Sequence, residues 1–229
     1  MISIIGTPTQ SGATSGLANT PTGAANGDTL LFFVSAYGTN SSTAAGLTSF
    51  TAPLGAVPIT SFQVNFAGFS AGPTTVWLYR LLLTSTPSST YTFTLVGDGA
   101  FGGTEVATIC LRGPSLKVYA TSANGNGTGS TNPTTPTLTT QNVGDLLVWY
   151  YWGENQIASA GPPSFTVGFN QTSASNPSAS SEGLWTHSVA IAGATGTLSA
   201  TATNDDWIAM LVAVSSGASN DAVFFSFNF

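Results

Sequence analysis

Runs of apolar and β-branched residues about five to seven long alternate along the chain with clusters of Gly, Pro, Ser, Thr and Asn roughly every ten residues. That punctuation predicts many short strands joined by turns. Tyr91-Thr92-Phe93-Thr94-Leu95 alternates with the period of two that gives a strand one buried face. No stretch sustains an apolar period of 3.6 residues with caps, and the best helical candidate, Trp77–Leu83, is fenced by Gly72-Pro73 and Pro87. Little helix is expected.

The pattern occurs twice. Gly27-Asp28 precedes Thr29-Leu30-Leu31-Phe32-Phe33-Val34, and Gly144-Asp145 precedes Leu146-Leu147-Val148-Trp149-Tyr150-Tyr151. Phe62-Gln63-Val64 is echoed by Phe165-Thr166-Val167, and Val76-Trp77-Leu78-Tyr79 by Leu184-Trp185-Thr186-His187. Tyr91–Leu95 then matches Leu198–Ala202, and Val106–Ile109 matches Ile208–Leu211. This order predicts an all-β chain: one antiparallel β-sandwich of jelly-roll type spanning residues 1–229, built from two similar four-stranded halves at about 1–120 and 137–215. Two independent domains are the alternative, disfavoured because a four-stranded half by itself leaves a sheet face unburied. Gly125–Pro136 reads as the connector, Gly38–Gly46 and Ser173–Ser181 as surface loops, and residues 222–229 as a C-terminal strand outside both halves.

Composition narrows the function. Of 229 residues 42% are hydrophobic, so the chain can bury a core, but only 5% are charged, leaving hydroxyl and amide groups to form the wet surface. Three basic residues, Arg80, Arg112 and Lys117, stand against nine acidic ones, and this balance argues against nucleic acid and anionic membrane as partners. The lone Cys110 lies in the apolar run Val106–Leu111 and reads as a small buried thiol. Met1–Gly6 lacks a basic segment followed by a long apolar one, so synthesis in a cytoplasm without a signal peptide is expected. No apolar run approaches the ~18 residues of a membrane-spanning helix.

Chemistry-bearing residues are few. The single histidine, His187, sits beside Trp185 in a strand and reads as a packed or hydrogen-bonded side chain. There is no Gly-x-Ser-x-Gly elbow, and Glu105, Glu154 and Glu182 are dispersed along the chain rather than paired in a glycosidase pattern. Asp98 with Glu105, or Asp205-Asp206, could offer oxygen ligands to calcium, but neither has the spacing of a calcium loop. Asp28 and Asp145 read as turn formers whose carboxylates accept backbone N–H groups. The expectation is a non-enzymatic chain without cofactor or metal. Tyr37, Tyr150, Tyr151, Trp152 and Trp207 fall near strand ends or loops, and Tyr37, Trp152 and Trp207 are the candidates for stacking on a sugar ring.

In its Gly144–Val148 and Gly27–Val34 segments, and in Trp77–Arg80 and Tyr91–Thr94, the chain resembles small all-β virion proteins of tailed bacteriophages and prophages. The resemblance implies a structural part of the particle: a capsid decoration (cement) protein, or a tail- or head-fibre module contacting host-surface carbohydrate. The absence of coiled-coil heptads and β-helix repeats favours decoration. Its partners would be other virion proteins, foremost the major capsid protein, and copies of itself as a trimer or dimer. Its place would be the virion. The C-terminal Val223-Phe224-Phe225-Ser226-Phe227-Asn228-Phe229 sets Phe225, Phe227 and Phe229 on one face of a strand, a stripe that must be covered by the domain itself or by docking on another subunit. A terminal aromatic strand also suits an outer-membrane barrel, a reading opposed by the missing signal peptide.

Overall fold

The computed structural model describes residues 1–13, 16–38, 49–64, 74–96, 101–154, 158–172, 180–202 and 205–217, and among them there is no helix. The chain is all-β, with antiparallel sheets. The first half supplies β1 (Ser3–Ala13), β2 (Thr29–Gly38), β3 (Val57–Val64), β4 (Thr74–Leu82) and β5 (Phe101–Arg112), which form one sheet in the order β1-β5-β2-β4-β3. The second supplies β6 (Leu116–Ser130), β7 (Leu146–Gly153), β8 (Thr166–Thr172), β9 (Ser181–Ser188) and β10 (Asp205–Ser216), in the order β6-β10-β7-β9-β8.

Alternation along the central strands builds three apolar layers. One face of β2 and β7 carries Leu31, Phe33, Val148 and Tyr150 into a core shared by both sheets, where the Phe33 and Tyr150 rings stack at 4.7 Å and 11°. The opposite faces carry Leu30, Phe32 and Val34 into a second cluster, and Leu147, Trp149 and Tyr151 into a third. Short ladders supply the outer covers: Thr90–Thr92 pairs with Leu17–Asn19, and Thr94–Val96 with Ser49–Thr51. In the second half Leu198–Ser199, Gly193–Ala194 and Thr201–Ala202 pair with Thr134–Thr135, Thr139–Thr140 and Ala158–Ala160. Face-to-face packing of two sheets over one core fits a β-sandwich.

The Gly-Asp entries behave as their chemistry dictates. Gly27 and Gly144 take φ of +90° and +85°, a region that favours glycine. The Gly27 N–H donates to the Leu83 carbonyl at 2.7 Å and the Gly144 N–H to the Val189 carbonyl at 2.8 Å. The Asp28 carboxylate accepts the Ala25 N–H at 2.8 Å and that of Asp145 accepts the Asn142 N–H at 2.9 Å, as expected of turn formers. Asp28 also takes both arms of Arg112, at 2.7 and 2.8 Å, and this partner holds its carboxyl below the usual range.

Several sequence expectations are corrected. Each large sheet has five strands, not four, because the N-terminal Ser3–Ala13 and the polar Leu116–Ser130 both pair at sheet edges. The first half of the expected connector Gly125–Pro136 is therefore β6, and the two large sheets are joined through the turn Gly113–Ser115 instead of between 120 and 137. An edge strand bonded on one side needs no apolar stripe, so composition alone misread it as a linker. Its small residues answer to close packing instead. A Cβ on Gly125 would collide with the Val64 side chain and lie 2.9 Å from the Trp207 carbonyl oxygen. Gly125→Val should cost about 1–3 kcal/mol in urea unfolding; unchanged stability would show that β3 and β6 are not in this contact. The echoes also shift: Trp185 pairs with Trp149 as Tyr79, not Trp77, pairs with Phe32, and Phe165 precedes β8 whereas Phe62 lies within β3.

Candidate functional site

The inward stripes of four central strands turn polar at the same end. On β2 the run Leu31, Phe33 ends in Ser35; on β5 the run Ile109, Ala107 ends in Glu105, the cross-strand partner of Ser35. From the facing sheet come Trp152, ending the run Val148, Tyr150, and its β9 partner Glu182. The period of two carries these residues into the space between the sheets, and both carboxyl side chains are fully buried.

Hydrogen bonds tie the cluster across the sandwich. Trp152 Nε1–H donates to Glu105 Oε2 at 3.1 Å, and the Ser180 hydroxyl donates to Glu105 Oε1. The Tyr150 hydroxyl donates to Glu182 Oε1, which also takes the Ser35 hydroxyl from the opposite sheet at 3.5 Å. Beside them Gln171 donates to Gln10 at 2.7 Å, joining the edge strands β8 and β1. Burial, and next the charge of Glu105, push the Glu182 carboxyl well above its usual range, against the hydrogen bonds of Tyr150 and Ser35. The Tyr150 phenol is likewise raised, by burial and by Glu182, and so stays a donor. The ion pair among the described residues, Arg112 with Asp28, belongs to the turn at Asp28. Burial and the charge of Glu105 therefore favour the protonated form of Glu182. Through their hydrogen bonds to Trp152, Ser180, Tyr150 and Ser35 the two carboxyls tie the facing sheets together.

Other expected site residues lie elsewhere. Trp152 and Trp207 are inside the core at 0% and 2% exposure, as are Tyr150 and Tyr151, so the stacking platform expected at Trp152 and Trp207 is not on the surface. The alternation that made them look like strand-end aromatics points them inward. Tyr37 is placed on β2 opposite Thr74 and Gly103, its side chain outside the description, and Phe225, Phe227 and Phe229 lie outside the described residues. Asp98 is also outside them. Asp206 is buried, accepts the Gly129 N–H at 2.7 Å and has its carboxyl raised by that burial. Among the described residues no group of three metal-ligating side chains converges. Cys110 is buried against Asp28, its thiol pushed up to about 12 by burial and the adjacent carboxylate. It should react with a thiol reagent only on unfolding, and fast labelling of the native chain would contradict this placement.

His187 ends β9 half-buried, stacked on Phe165 at 5.2 Å, with its Nδ1 3.0 Å from the Ser164 carbonyl oxygen. That hydrogen bond puts the proton on Nδ1. Ser164 has φ +68°, in the left-handed region. Phe165 and His187 form one wall of a cleft of about 340 Å³ that Leu147, Val189, Ile191 and Leu198 also line. Neither this cleft nor the glutamate pair is visible in spacing along the chain. The available signal for the two glutamates was an acidic residue at the end of an apolar strand stripe. Comparison with known proteins finds no matching family model, no match among curated proteins and none among solved structures.

Proposed function

We propose that the chain is a virion structural protein, a capsid decoration protein that stabilises a head through protein–protein contacts. The observation that carries this reading is where the ionisable groups lie: Glu105, Glu182, Asp206 and Glu154 are buried inside the fold, while large apolar side chains such as Leu54, Val143 and Ile191 stand on its surface. A chain so built offers contact area rather than reactive groups. The resemblance of its Gly-Asp strands to small phage virion proteins supports the same reading.

We infer further that the two sheets together form one sandwich of jelly-roll type built from two similar halves. In the first half β1 and β2 both flank β5, and β4 follows β2, while residues 90–96 bridge 17–19 and 49–51 in the outer layer. The second half repeats that order with β6, β10, β7 and β9, and with residues 193–202 between 134–140 and 158–160. This interleaving of early and late strands is what two Greek keys produce. The fibre reading, in which loop aromatics bind carbohydrate, loses Trp152 and Trp207 as contacts.

Mass spectrometry of purified particles, followed by microscopy at a resolution that traces strands, tests the proposal. The expected result is this chain at a fixed stoichiometry on the outer capsid surface, with no glycan bound by the isolated domain. Its absence from particles, or saturable glycan binding by the isolated domain, would overturn the decoration reading.

A further inference from the structure

We propose that a recess at the basic end of the sandwich binds a small free organic acid, with its carboxylate on Arg80 and its hydrocarbon tail on Leu82 and Leu116. The inference is independent of the virion reading. Charge is sorted along the strands. Glu105, Glu154, Glu182 and Asp206 lie at one end of the two sheets. The chain's three basic residues lie at the other: Arg80 and Arg112 close β4 and β5, and Lys117 opens β6.

Arg80 is the cation left without an anion. The inward stripe of β4 carries Val76 and Leu78 into the shared core, and the period of two makes Arg80 its next rung, opposite Leu31 of β2. The side chain is half-buried and has no hydrogen bond or ion pair among the described residues. The acids described at this end are already engaged. Asp28 takes Arg112 and the Ala25 N–H, and Asp145 accepts the Tyr119 hydroxyl at 2.6 Å and the Asn142 N–H at 2.9 Å. The more exposed Arg112 therefore has a two-armed carboxylate partner, while the less exposed Arg80 has none. A guanidinium partly withdrawn from water gains most from a carboxylate that takes two of its N–H groups at once.

The recess that Arg80 lines measures about 270 Å³. Leu116, buried in the shared core, and Leu82, 54% exposed, give it apolar walls, and Thr29 and Ser115 add hydroxyl-bearing residues. This volume lies below the roughly 300–1,000 Å³ of sites for drug-sized ligands, so the occupant is small. Arg80 is the one charged residue of the lining, which matches a monocarboxylate better than a doubly charged phosphate ester.

The chain holds two arginines, Arg80 and Arg112, so the Nε–H region of a nitrogen–proton NMR spectrum carries two signals, assigned through bonds to their own backbones. Hexanoate titrated at neutral pH and constant ionic strength should shift the Arg80 signal to saturation and leave that of Arg112, already paired with Asp28, in place. Acetate, which lacks the chain methylenes, should bind at least ~tenfold more weakly, and hexanol should not saturate the site. In Arg80→Gln hexanoate should no longer shift the backbone amides of Ser115 and Leu116, whereas Lys117→Gln should keep its affinity within about twofold, because an exposed charge is screened by salt. An Arg80 signal unmoved by millimolar hexanoate would overturn the proposal without any variant having to fold. Equal affinity for acetate, saturation by hexanol, or an Arg112 signal that moves in step with Arg80 would overturn it as well, as would hexanoate binding that survives in Arg80→Gln.

Discussion

Stability toward unfolding should fall as pH rises from mildly acidic to alkaline, and Glu182→Gln should abolish most of that slope. The Glu182 carboxyl is raised above the ordinary 4.5 of a glutamate in the folded chain, by burial first and by Glu105 second. Above 4.5 the unfolded chain has released this proton while the folded chain keeps it, so folding binds a proton and stability declines with pH. The contribution is whole below 4.5 and is lost as pH rises through the folded-state value. Asp206, raised from 3.8 by burial, has the same sign. Asp28 has the opposite one: its carboxyl is lowered from 3.8 by Arg112, so its contribution is present above 3.8 and lost as pH falls through the folded value. Maximum stability should lie between these two limbs, in mild acid.

Glu182→Gln keeps an oxygen for the Tyr150 and Ser35 hydroxyls and replaces the proton-bearing side of the carboxyl with a permanent donor. At pH 8 the variant should exceed the parent by about 1–3 kcal/mol, the scale of an uncompensated buried polar group. Urea unfolding from pH 4 to pH 9 measures it. Equal slopes in parent and variant would mean that general repulsion in this acidic chain, not the pair, sets the pH dependence.

Phe33→Ala should lower stability by about 3–5 kcal/mol while leaving a single unfolding transition. The Phe33 ring is fully buried and stacked on Tyr150 of the facing sheet, so its removal opens a cavity shared by both halves. If the halves were independent domains, the parent would melt in two steps and the substitution would move only the first-half step. With a common core, near-UV dichroism from second-half tryptophans such as Trp149 and Trp152 should move with the overall transition. Two separable transitions in calorimetry would refute the shared core as the source of cooperativity.

The edge strands show how far residue order alone reaches. Thr29–Val34 and Leu146–Tyr151 announce themselves because strands buried on both faces read as unbroken apolar runs. Leu116–Ser130 does not, because a strand bonded on one side and packed closely on β3 can be made of Ser, Asn and Gly. Asp28 and Asp145 were legible as turn formers because their hydrogen bonds are local, within four residues. His187 was legible as a hydrogen-bonded side chain, but its acceptor at Ser164 is 23 residues away, and the cleft it lines has no signature in its neighbours.

By itself, then, the sequence determined the all-β class, the positions of the central strands, the local turns and the burial of Cys110, since each follows from period, turn chemistry or composition within a short window. Only the tertiary structure decided that Glu105 and Glu182 enter one buried polar cluster, that Trp152 and Trp207 point inward, and that Phe165 and His187 wall one cleft. Glu105 and Glu182 are 77 positions apart in the chain and come from opposite sheets. Their entry into one cluster depends on which sheet faces are stacked and in what alignment, a choice made by the summed burial of the shared core and encoded in no local pattern.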